Sequence, residues 1–294
     1  MAGDFTYLMV SFSLKLFAPA KVNLRLEVLG ELPNHYHLVR MFNIMVSLFD
    51  EIELQFEKSG IKIEADNPLA PKGKDNLIYR AVDYFQKRFG YDFGVKIWVK
   101  KKIPLGAGLG GGSSDCAVVL RALCERFGVS VYKLNLEEVA YNLGADVPYL
   151  VFGGPSWVEG IGELIEPVKG IPKVWYLLVK PGLSVSTAWV YQEYGLDRDL
   201  TIEPKQAILK KIWNGAWKKV CINQLEKVVF SKYEELKELK LELSRLGSEA
   251  VVMSGSGSTL VGIFLEREQA ESAKRELLRK NLRIWSEVVE EYQP

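Results

Sequence analysis

The feature that most constrains this chain is a glycine-rich stretch at residues 104–115, which reads Pro-Leu-Gly-Ala-Gly-Leu-Gly-Gly-Gly-Ser-Ser-Asp. Glycines allow consecutive backbone N–H groups to turn toward one anion. Alternating apolar residues at 95–99 predict a strand before the stretch. An apolar helix is predicted after it, with Ser113 or Ser114 as its cap and Gly128 at its end. A strand, a glycine loop and the start of a helix indicate a loop that holds nucleotide phosphates.

Three better-known motifs share features with this part of the chain. A Walker loop places Lys and then Ser or Thr after its last glycine, and here Ser113 follows instead. Gly106, Gly108 and Gly111 have the spacing of a dinucleotide-binding fingerprint, which would leave the doubled serine without a role. Asp92-Phe93-Gly94 spells a protein-kinase metal motif, but it precedes the glycine loop and the sequence contains no His-Arg-Asp. A phosphate loop of another kind is therefore predicted.

Composition narrows the classes of function. The 294 residues, 48% of them apolar, suffice for one large domain or two of ordinary size. A formal charge of +1 provides no field for nucleic acid or for an anionic membrane, so neither is an expected partner. Cys116, Cys124 and Cys221 show no metal-binding spacing and predict reduced thiols, mostly in the core. Because His35 and His37 are the only histidines, a proton acceptor is expected to be a carboxylate.

The first residues of the chain predict no targeting segment. Residues 1–14 are partly apolar, but Asp4 interrupts them and no basic region precedes them. Neither a signal peptide nor a membrane span fits, so a cytoplasmic protein is expected. Met9 offers an alternative start, and the residues before it would then be an appendage.

Residue spacing divides the remainder of the chain into strands and helices in both halves, which indicates an α+β architecture in two parts. The predicted elements are strands within 13–64, a helix at 76–89, a helix at 136–143, a chain break at 153–155, a strand at 174–179, charged helices within 204–246, and strands at 251 and 260–264. The sequence shows no internal repeat and no low-complexity segment.

Three segments in a fixed order resemble the motifs of a known family. They are Pro19-Ala20-Lys21-Val22-Asn23-Leu24, the glycine-rich stretch, and Ser254-Gly255-Ser256-Gly257-Ser258-Thr259. In this order they are similar to the three motifs of the GHMP kinases, the small-molecule kinases named for galactokinase, homoserine kinase, mevalonate kinase and phosphomevalonate kinase. The resemblance spans residues 13 to about 290.

The resemblance implies a fold and a cofactor. It implies the two-domain GHMP kinase fold, with a ribosomal-S5-like N-terminal domain at 13–154 that binds ATP and a ferredoxin-like C-terminal domain at 155–294 that binds substrate. Residues 1–12 would be an extension. ATP with Mg²⁺ is expected between the domains, and a monomer or weak dimer is expected.

Further segments resemble one branch of the family. These segments are Leu143-Gly144-Ala145-Asp146-Val147-Pro148-Tyr149, Tyr36-His37 and Asn223-Gln224-Leu225-Glu226. That branch transfers the ATP γ-phosphate to the 2-hydroxyl of a cytidyl diphosphate substrate, 4-diphosphocytidyl-2-C-methyl-D-erythritol, in the non-mevalonate isoprenoid pathway. Two alternatives stay open: a sister kinase for mevalonate, homoserine or a sugar, and a nucleotide sensor without catalysis.

The resemblance also implies catalytic residues. Asp146 matches the family's catalytic aspartate, which collects the hydroxyl proton late in a loose phosphoryl transfer. Lys21 matches the second catalytic residue, and Asp146 is the expected partner of its ammonium. Asn23 lies two residues further along a predicted strand, so it should share a face with Lys21 and orient the substrate.

Substrate recognition is expected from aromatic residues and from the last motif. Tyr36 and His37 match the family's cytosine-recognising pair, and Tyr191 occupies a second stacking position. Asn34-His35 stands where Asp-Gly usually precedes this pair, and the loss of glycine restricts the turn. The expected substrate loop consists of Ser254, Gly255, Ser256 and Gly257, with a plain hairpin turn as the alternative.

The expected ATP-binding residues surround the glycine-rich stretch. They are Pro104, Leu105, Gly106, Ala107, Gly108, Leu109, Gly110, Gly111, Gly112, Ser113, Ser114 and Asn76. Asn76 is equally explained as a helix cap, and Lys101 or Lys102 is expected near adenine. Asp115 is expected to favour the helix N-terminus. The metal ligands stay open, with the hydroxyls of Ser113 and Ser114 as candidates.

Overall fold

The computed structural model describes residues 13–195, 203–280 and 283–294, and the predicted extension at 1–12 lies outside these ranges. The strands are β1 (Ser13–Glu31), β2 (His37–Glu57), β3 (Ile61–Ala65), β4 (Gly94–Lys100), β5 (Ser156–Gly160), β6 (Leu164–Pro167), β7 (Trp175–Pro181), β8 (Ile222–Asn223), β9 (Ala250–Met253), β10 (Leu260–Phe264) and β11 (Ile284–Tyr292). The α-helices are α1 (Leu77–Phe89), α2 (Gly111–Arg126), α3 (Leu136–Leu143), α4 (Val147–Phe152), α5 (Thr187–Tyr194), α6 (Lys205–Trp213), α7 (Trp217–Val220), α8 (Glu226–Lys232), α9 (Glu234–Arg245) and α10 (Arg267–Lys280).

Local signals explain where the clearest helix begins and ends. Asn76 caps α1, because its Oδ1 accepts a hydrogen bond from the backbone N–H of Ile78 at 2.8 Å. Gly90 ends the helix in a left-handed conformation with φ of 70°. The buried face includes Ile78 and Phe85. The predicted helix at 76–89 is confirmed, as is the one at 136–143.

The chain divides into two compact units. The first comprises residues 13–20, Leu48–Leu105 and Gly111–Val151. Within it, β4 pairs in parallel with β3 and antiparallel with the end of β2. Helix α1 connects β3 to β4 and packs against α2. A parallel pair requires such a crossover connection, and the helix covers the sheet with its apolar face.

The second unit comprises Lys21–Ser47, Gly106–Gly110 and Phe152–Pro294. Its strands β7, β9, β10 and β11 lie in the spatial order β11-β7-β10-β9, and each neighbouring pair is antiparallel. Helices separate β7 from β9, and α10 connects β10 to β11 and packs against both. This β-α-β-β-α-β arrangement is the ferredoxin-like one predicted for the C-terminal part. The predicted domain boundary after residue 154 stays a prediction.

One predicted stretch differs from the structure. The charged helices within 204–246 are interrupted by β8, in which Asn223 pairs with Leu26 of β1 in a parallel ladder. The helix α6 ends before Gly215, which has φ of 63°. Helical spacing alone did not reveal this short strand, because its two residues gain their backbone partners from a distant strand.

The cysteines are reduced core residues, as predicted. Cys116 and Cys124 are buried, Cys221 is half-buried, and all three are free thiols. Burial raises the pKa of Cys124 to about 11 and that of Cys221 to about 12, so both thiols are protonated at neutral pH. Among the described helices, none is both long and apolar enough to cross a membrane.

Candidate active site

Lys21 and Asn23 lie together on one face of β1, as their spacing predicts. The Lys21 ammonium donates a hydrogen bond to Asn23 Oδ1 at 2.7 Å, and both side chains are buried. The Asn23 amide nitrogen donates to Asn43 Oδ1 on β2 at 2.7 Å. Hydrogen bonding on both sides fixes the orientation of the Asn23 amide. The pair is a preorganised donor and acceptor group within the second unit.

The glycine loop has alternating backbone geometry. Gly106, Gly108 and Gly110 have φ of 58°, 72° and 67°, whereas Ala107 and Leu109 between them have negative φ. The side chains of Ala107 and Leu109 are buried and anchor the loop. Alternation of positive and negative φ is the backbone pattern of anion-binding nests, in which successive N–H groups turn toward one side. The sequence pattern Gly-Ala-Gly-Leu-Gly therefore encodes both the nest and its anchors.

Hydrogen bonds hold the glycine loop by its carbonyl groups. The N–H of Lys21 donates to Leu109 O at 3.0 Å, and the N–H of Thr259 donates to Ala107 O at 3.3 Å. The Ser254 hydroxyl donates to Gly108 O at 2.8 Å. In these bonds the loop takes part through its carbonyl groups. A phosphate, in contrast, binds to N–H groups.

The last motif is a hairpin loop between β9 and β10 that packs against the glycine loop. A Cβ atom on Gly108 would lie 2.1 Å from Ser254 O, so a side chain there is sterically excluded. Ser254 Oγ also accepts a hydrogen bond from the backbone N–H of Asn23 at 3.2 Å. Ser256 Oγ lies 2.7 Å from Thr187 Oγ1 at the start of α5. The segment is a hairpin that is bonded to the Asn23 and Gly108 backbones, and its predicted role as a substrate loop stays a prediction.

The helix after the glycine loop begins earlier than predicted. Helix α2 starts at Gly111, so Ser113 and Ser114 lie in its first turn and the prediction that one of them is the cap is wrong. The positive φ of Gly110 ends the loop directly before this helix. Ser114 is buried, and its hydroxyl donates to Pro19 O at 2.6 Å. Ser113 is half-buried near Gly144, where a Cβ atom would lie 3.8 Å from its Oγ.

Asp146 lies in the turn between α3 and α4. Its backbone carbonyl accepts the N–H of Leu150 at 3.1 Å, and the residue is half-buried. Gly144 ends α3 with φ of 130°, a conformation that favours glycine. A short turn between two helices restricts the position of the carboxylate. The pairing of Asp146 with Lys21 stays a prediction.

The predicted cytosine residues are partly brought together. The rings of His37 and Tyr191 face each other with centroids 4.9 Å apart, at an angle of 43°. Tyr36, the neighbour of His37, has 36% of its surface exposed. His37 and Tyr191 thus form an aromatic surface at the start of β2 and on α5.

The turn before Tyr36 and His37 has a backbone conformation that is typical of glycine, although it contains no glycine. His35 has φ of 64° and is the one residue other than glycine with positive φ in the described ranges. Asn34 Oδ1 accepts the N–H of Tyr36 at 3.2 Å, and His35 Nδ1 lies 2.9 Å from Glu31 Oε1. This conformation costs a side-chain-bearing residue about 1 to 2 kcal/mol. The turn here therefore holds a side-chain-bearing residue in a strained conformation at the position where the family usually has glycine.

Comparison with known proteins identifies the family. The family model for the GHMP kinases N terminal domain matches residues 76–154, and the one for the GHMP kinases C terminal matches residues 206–284. The chain is similar to a 4-diphosphocytidyl-2-C-methyl-D-erythritol kinase of Geobacter sp. (strain M21), at 40% identity over 90% of this chain and 94% of the relative. The chain belongs to the GHMP kinase family. It is a small-molecule kinase, for which the family implies ATP as phosphate donor.

Solved structures confirm the predicted fold of this GHMP kinase. A crystal structure of 4-(cytidine 5'-diphospho)-2C-methyl-D-erythritol kinase aligns with a TM-score of 0.77 and 34% identity, covering 94% of this chain and 99% of the other. A homoserine kinase from Cytophaga hutchinsonii aligns with a TM-score of 0.73 and 19% identity, covering 98% of this chain and 97% of the other. The second likeness concerns the fold alone.

Sequence reasoning missed a buried ion cluster in the first unit of the kinase. We call Asp50, Lys101 and Asp115 the aspartate cluster. The Lys101 ammonium lies 2.5 Å from Asp50 Oδ2 and 2.6 Å from Asp115 Oδ2, and all three side chains are buried. Asp50 Oδ1 also accepts the backbone N–H groups of Lys102 and Ile103. The expectation that Lys101 or Lys102 lies near adenine stays a prediction. Asp115 was expected to favour the helix N-terminus, but it lies beyond the first turn of α2 and pairs with Lys101.

The two negative charges of the aspartate cluster exceed its one positive charge. Burial raises the pKa of Asp115 to about 7, the Lys101 charge opposes this rise, and the Asp50 charge adds to it. Burial disfavours the Lys101 ammonium, but the two carboxylates outweigh burial and raise its pKa. Asp115 Oδ1 is buried and lacks a hydrogen-bond partner among the described residues. The sequence signal available was the presence of Asp50 and Asp115 within the mostly apolar elements β2 and α2, whereas Lys101 follows β4 in a run of three lysines.

A second cluster of opposite sign lies on β1 and β2. We call Arg25, Glu27 and Arg40 the arginine cluster. Glu27 Oε1 lies 2.8 Å from Arg25 Nη2, and Glu27 Oε2 lies 2.7 Å from Arg40 Nε. Burial opposes the ionisation of Glu27, but hydrogen bonds from both arginines outweigh it and lower its pKa. Arg25 also donates to the carbonyl of Val220 at 3.2 Å, which joins β1 to the end of α7.

Proposed function

We propose that this protein transfers the γ-phosphate of ATP to the 2-hydroxyl of 4-diphosphocytidyl-2-C-methyl-D-erythritol. The observation that carries the proposal is the arrangement of the second unit. There the side chains of Lys21 and Asn23 are bonded to each other, and their backbone N–H groups donate to the glycine loop and to the hairpin loop, respectively. The 40% identity with a kinase of that name supports the substrate.

The glycine loop is the proposed phosphate site, and its geometry fits the group. A Cβ atom on Gly110 would lie 2.8 Å from Lys21 Cγ, and one on Gly108 would meet Ser254 O. Glycine is therefore required at both positions for close packing within the second unit. Because the side chains of Ala107 and Leu109 are buried, the loop offers mainly backbone groups to a polyphosphate. Bound ATP supplies the transferable phosphoryl group. The remaining proposed ATP contacts are Asn76 and the segment from Pro104 to Ser114.

Lys21 and Asp146 are the proposed catalytic residues. Phosphoryl transfer has a loose transition state, so the protein mainly positions the reactants and stabilises charge. The Lys21 ammonium is held by Asn23 and is proposed to stabilise negative charge on the transferred group. Asp146 is proposed to accept the hydroxyl proton late in the reaction. Asn23 is proposed to orient the substrate alcohol.

The aromatic surface is the proposed cytosine site. The faces of Tyr36, His37 and Tyr191 offer stacking, which contributes about 1 to 3 kcal/mol per base. A polar ring edge on His37 adds a hydrogen-bonding group for the pyrimidine. The loop from Ser254 to Gly257 is proposed to contact the substrate through its backbone.

We propose Mg²⁺ as the companion of ATP. Within the described ranges, no group of three or more His, Cys, Asp or Glu side chains forms a metal site. Mg²⁺ is usually held by substrate phosphates with one or two protein oxygens, so a cage of protein ligands is not required. Of the two candidate hydroxyls, that of Ser114 is bonded to Pro19 O, which favours Ser113.

A turnover assay tests the proposal. ADP release from Mg-ATP is measured with 4-diphosphocytidyl-2-C-methyl-D-erythritol, and in parallel with mevalonate and homoserine. We expect turnover with the cytidyl substrate alone, and at least a hundredfold loss in the Asp146→Asn variant, about 3 kcal/mol of barrier. Turnover with another alcohol would favour a sister kinase. Nucleotide binding without turnover on any substrate would favour a sensor.

A further inference from the structure

Asn223 lies where three parts of the second unit meet. It is 4% exposed and pairs with Leu26 of β1 through its backbone in β8. Its side-chain Nδ2 donates to Met253 O and to Gly255 O, each at 2.7 Å. These two carbonyls flank Ser254 on either side. A single amide group therefore holds the backbone of the hairpin loop before and after its first serine.

The orientation of the Asn223 amide is fixed. Its Oδ1 accepts the backbone N–H of Leu225 at 2.9 Å, so the NH₂ group must face the two carbonyls. Glu226 supports the same strand end, since its Oε1 accepts the N–H of Met253 at 2.8 Å. Residues 223–226 thus contact the hairpin loop through two side chains: the Asn223 amide donates hydrogen bonds and the Glu226 carboxylate accepts one.

Hydrogen bonds of Ser254 connect the hairpin loop to the glycine loop and to Asn23. Its hydroxyl accepts from the N–H of Asn23 and donates to Gly108 O. Gly255 is also close to Asn23, since a Cβ atom on it would lie 3.3 Å from Asn23 Oδ1. Displacement of the Met253 to Gly255 backbone would therefore displace the hydroxyl that joins Asn23 to Gly108.

We infer that Asn223 is a positioning residue for phosphoryl transfer, which it serves by fixing the hairpin loop against Asn23 and the glycine loop. This inference rests on the proposed function for its kinetic consequence. It does not require contact between Asn223 and any reactant. A misplacement of about 1 Å in such a support costs on the order of a hundredfold in rate.

Two substitutions test the inference. Asn223→Asp conserves shape but places a carboxylate oxygen against the carbonyl oxygens of Met253 and Gly255, and Asn223→Ala removes the donor. Ser248→Ala is the matched control, because it also removes a buried hydrogen bond of the second unit, from Ser248 Oγ to Leu243 O. Each protein is assayed well below its unfolding temperature.

The first measurement is amide hydrogen exchange, which does not depend on activity. We expect faster exchange at residues 253–259 in both Asn223 variants, with unchanged exchange in β7 and β11. Unchanged exchange at 253–259, or faster exchange throughout the unit, would overturn the inference. Ser248→Ala should leave residues 253–259 as they are.

The second measurement is kcat and KM with Mg-ATP and the cytidyl substrate. We expect kcat/KM to fall by about ten- to a hundredfold in Asn223→Asp and less in Asn223→Ala. Normal kcat/KM in both variants would overturn the inference. If the unmodified protein shows no turnover, the proposed function fails, and the hydrogen exchange then decides only whether Asn223 fixes the hairpin loop against Asn23 and the glycine loop.

Discussion

Each of the two units buries a cluster of three charged side chains, and the two clusters have opposite net charge. In the arginine cluster one carboxylate lies between two guanidinium groups, and in the aspartate cluster one ammonium lies between two carboxylates. The pKa of Glu27 is lowered, whereas that of Asp115 is raised to about 7. Burial raises the pKa of both carboxyl groups. Two guanidinium groups outweigh burial at Glu27, whereas at Asp115 the single ammonium does not, because the Asp50 charge opposes it.

The clusters also differ in how they respond to loss of the central charge. An arginine cannot lose its proton in a protein, so two buried guanidinium groups without a carboxylate stay charged. Two carboxylates without an ammonium can take up a proton and become partly neutral. The arginine cluster is therefore expected to be the less tolerant one.

The largest expected effect is that of Glu27→Gln. Removing one partner of a buried ion pair costs about 3 to 5 kcal/mol, and here both arginines lose their partner. The free energy of unfolding is measured by urea denaturation. Glu31→Gln is the control, because Glu31 pairs with the exposed His35 and its loss should cost less than about 1 kcal/mol. Equal losses of unfolding free energy in the two variants would contradict the expectation that burial makes the loss of an ion pair costly.

A smaller effect is expected for Lys101→Met. Asp50 and Asp115 then lie together without a counter-charge, but protonation of one of them limits the cost to about 2 to 3 kcal/mol near pH 7. The loss should shrink as the pH falls, because the proton is then more easily taken up. Lys102→Met is the matched control, since its ammonium pairs with Glu51 and is half exposed. A loss independent of pH would show that the carboxylates do not share a proton.

A dependence of stability on pH is expected from Asp115. Its pKa of about 7 in the folded protein lies above its ordinary value of 3.8, so the folded state binds more protons between these values. Stability contributed by this group is therefore present at low pH and falls as the pH rises from about 4 to about 7. The Asp115→Asn variant should lose this slope in unfolding experiments across the range. Glu27 contributes a slope of the opposite sign and only at the acid end of this range, because its pKa is lowered from 4.5 and its contribution is lost as the pH falls below that value.

The smallest expected effect concerns the exposed pair of His35 and Glu31. His35→Gly should stabilise the protein by about 0.5 to 1 kcal/mol, because relief of the positive φ outweighs an exposed ion pair. Thermal unfolding measures the change. In His35→Ala the strain remains while the pair is lost, so that variant should gain nothing. A gain in both would assign the effect to the imidazole and not to the backbone.

Some of the candidate site could be read from the sequence. The alternating glycines at 106, 108 and 110 encode the positive φ values of the nest, and Asn76 and Gly90 mark the ends of α1. Lys21 and Asn23 share a face because a strand alternates its side chains. The prediction of Ser113 or Ser114 as a cap failed because Gly110 already ends the loop. The predicted catalytic roles themselves stay predictions.

By itself, the sequence determined the local features of this GHMP kinase: turn conformations at glycines, helix ends, alternating faces of strands and the order of three motifs. Only the tertiary structure decided which polar groups meet, as in Asp50, Lys101 and Asp115 or in Asn223 and Met253. The physical reason is that backbone propensities act within a few residues, whereas burial and hydrogen bonding depend on what the fold places opposite each face. Alternation shows that Arg25 and Glu27 share one face of β1, but not that this face is covered.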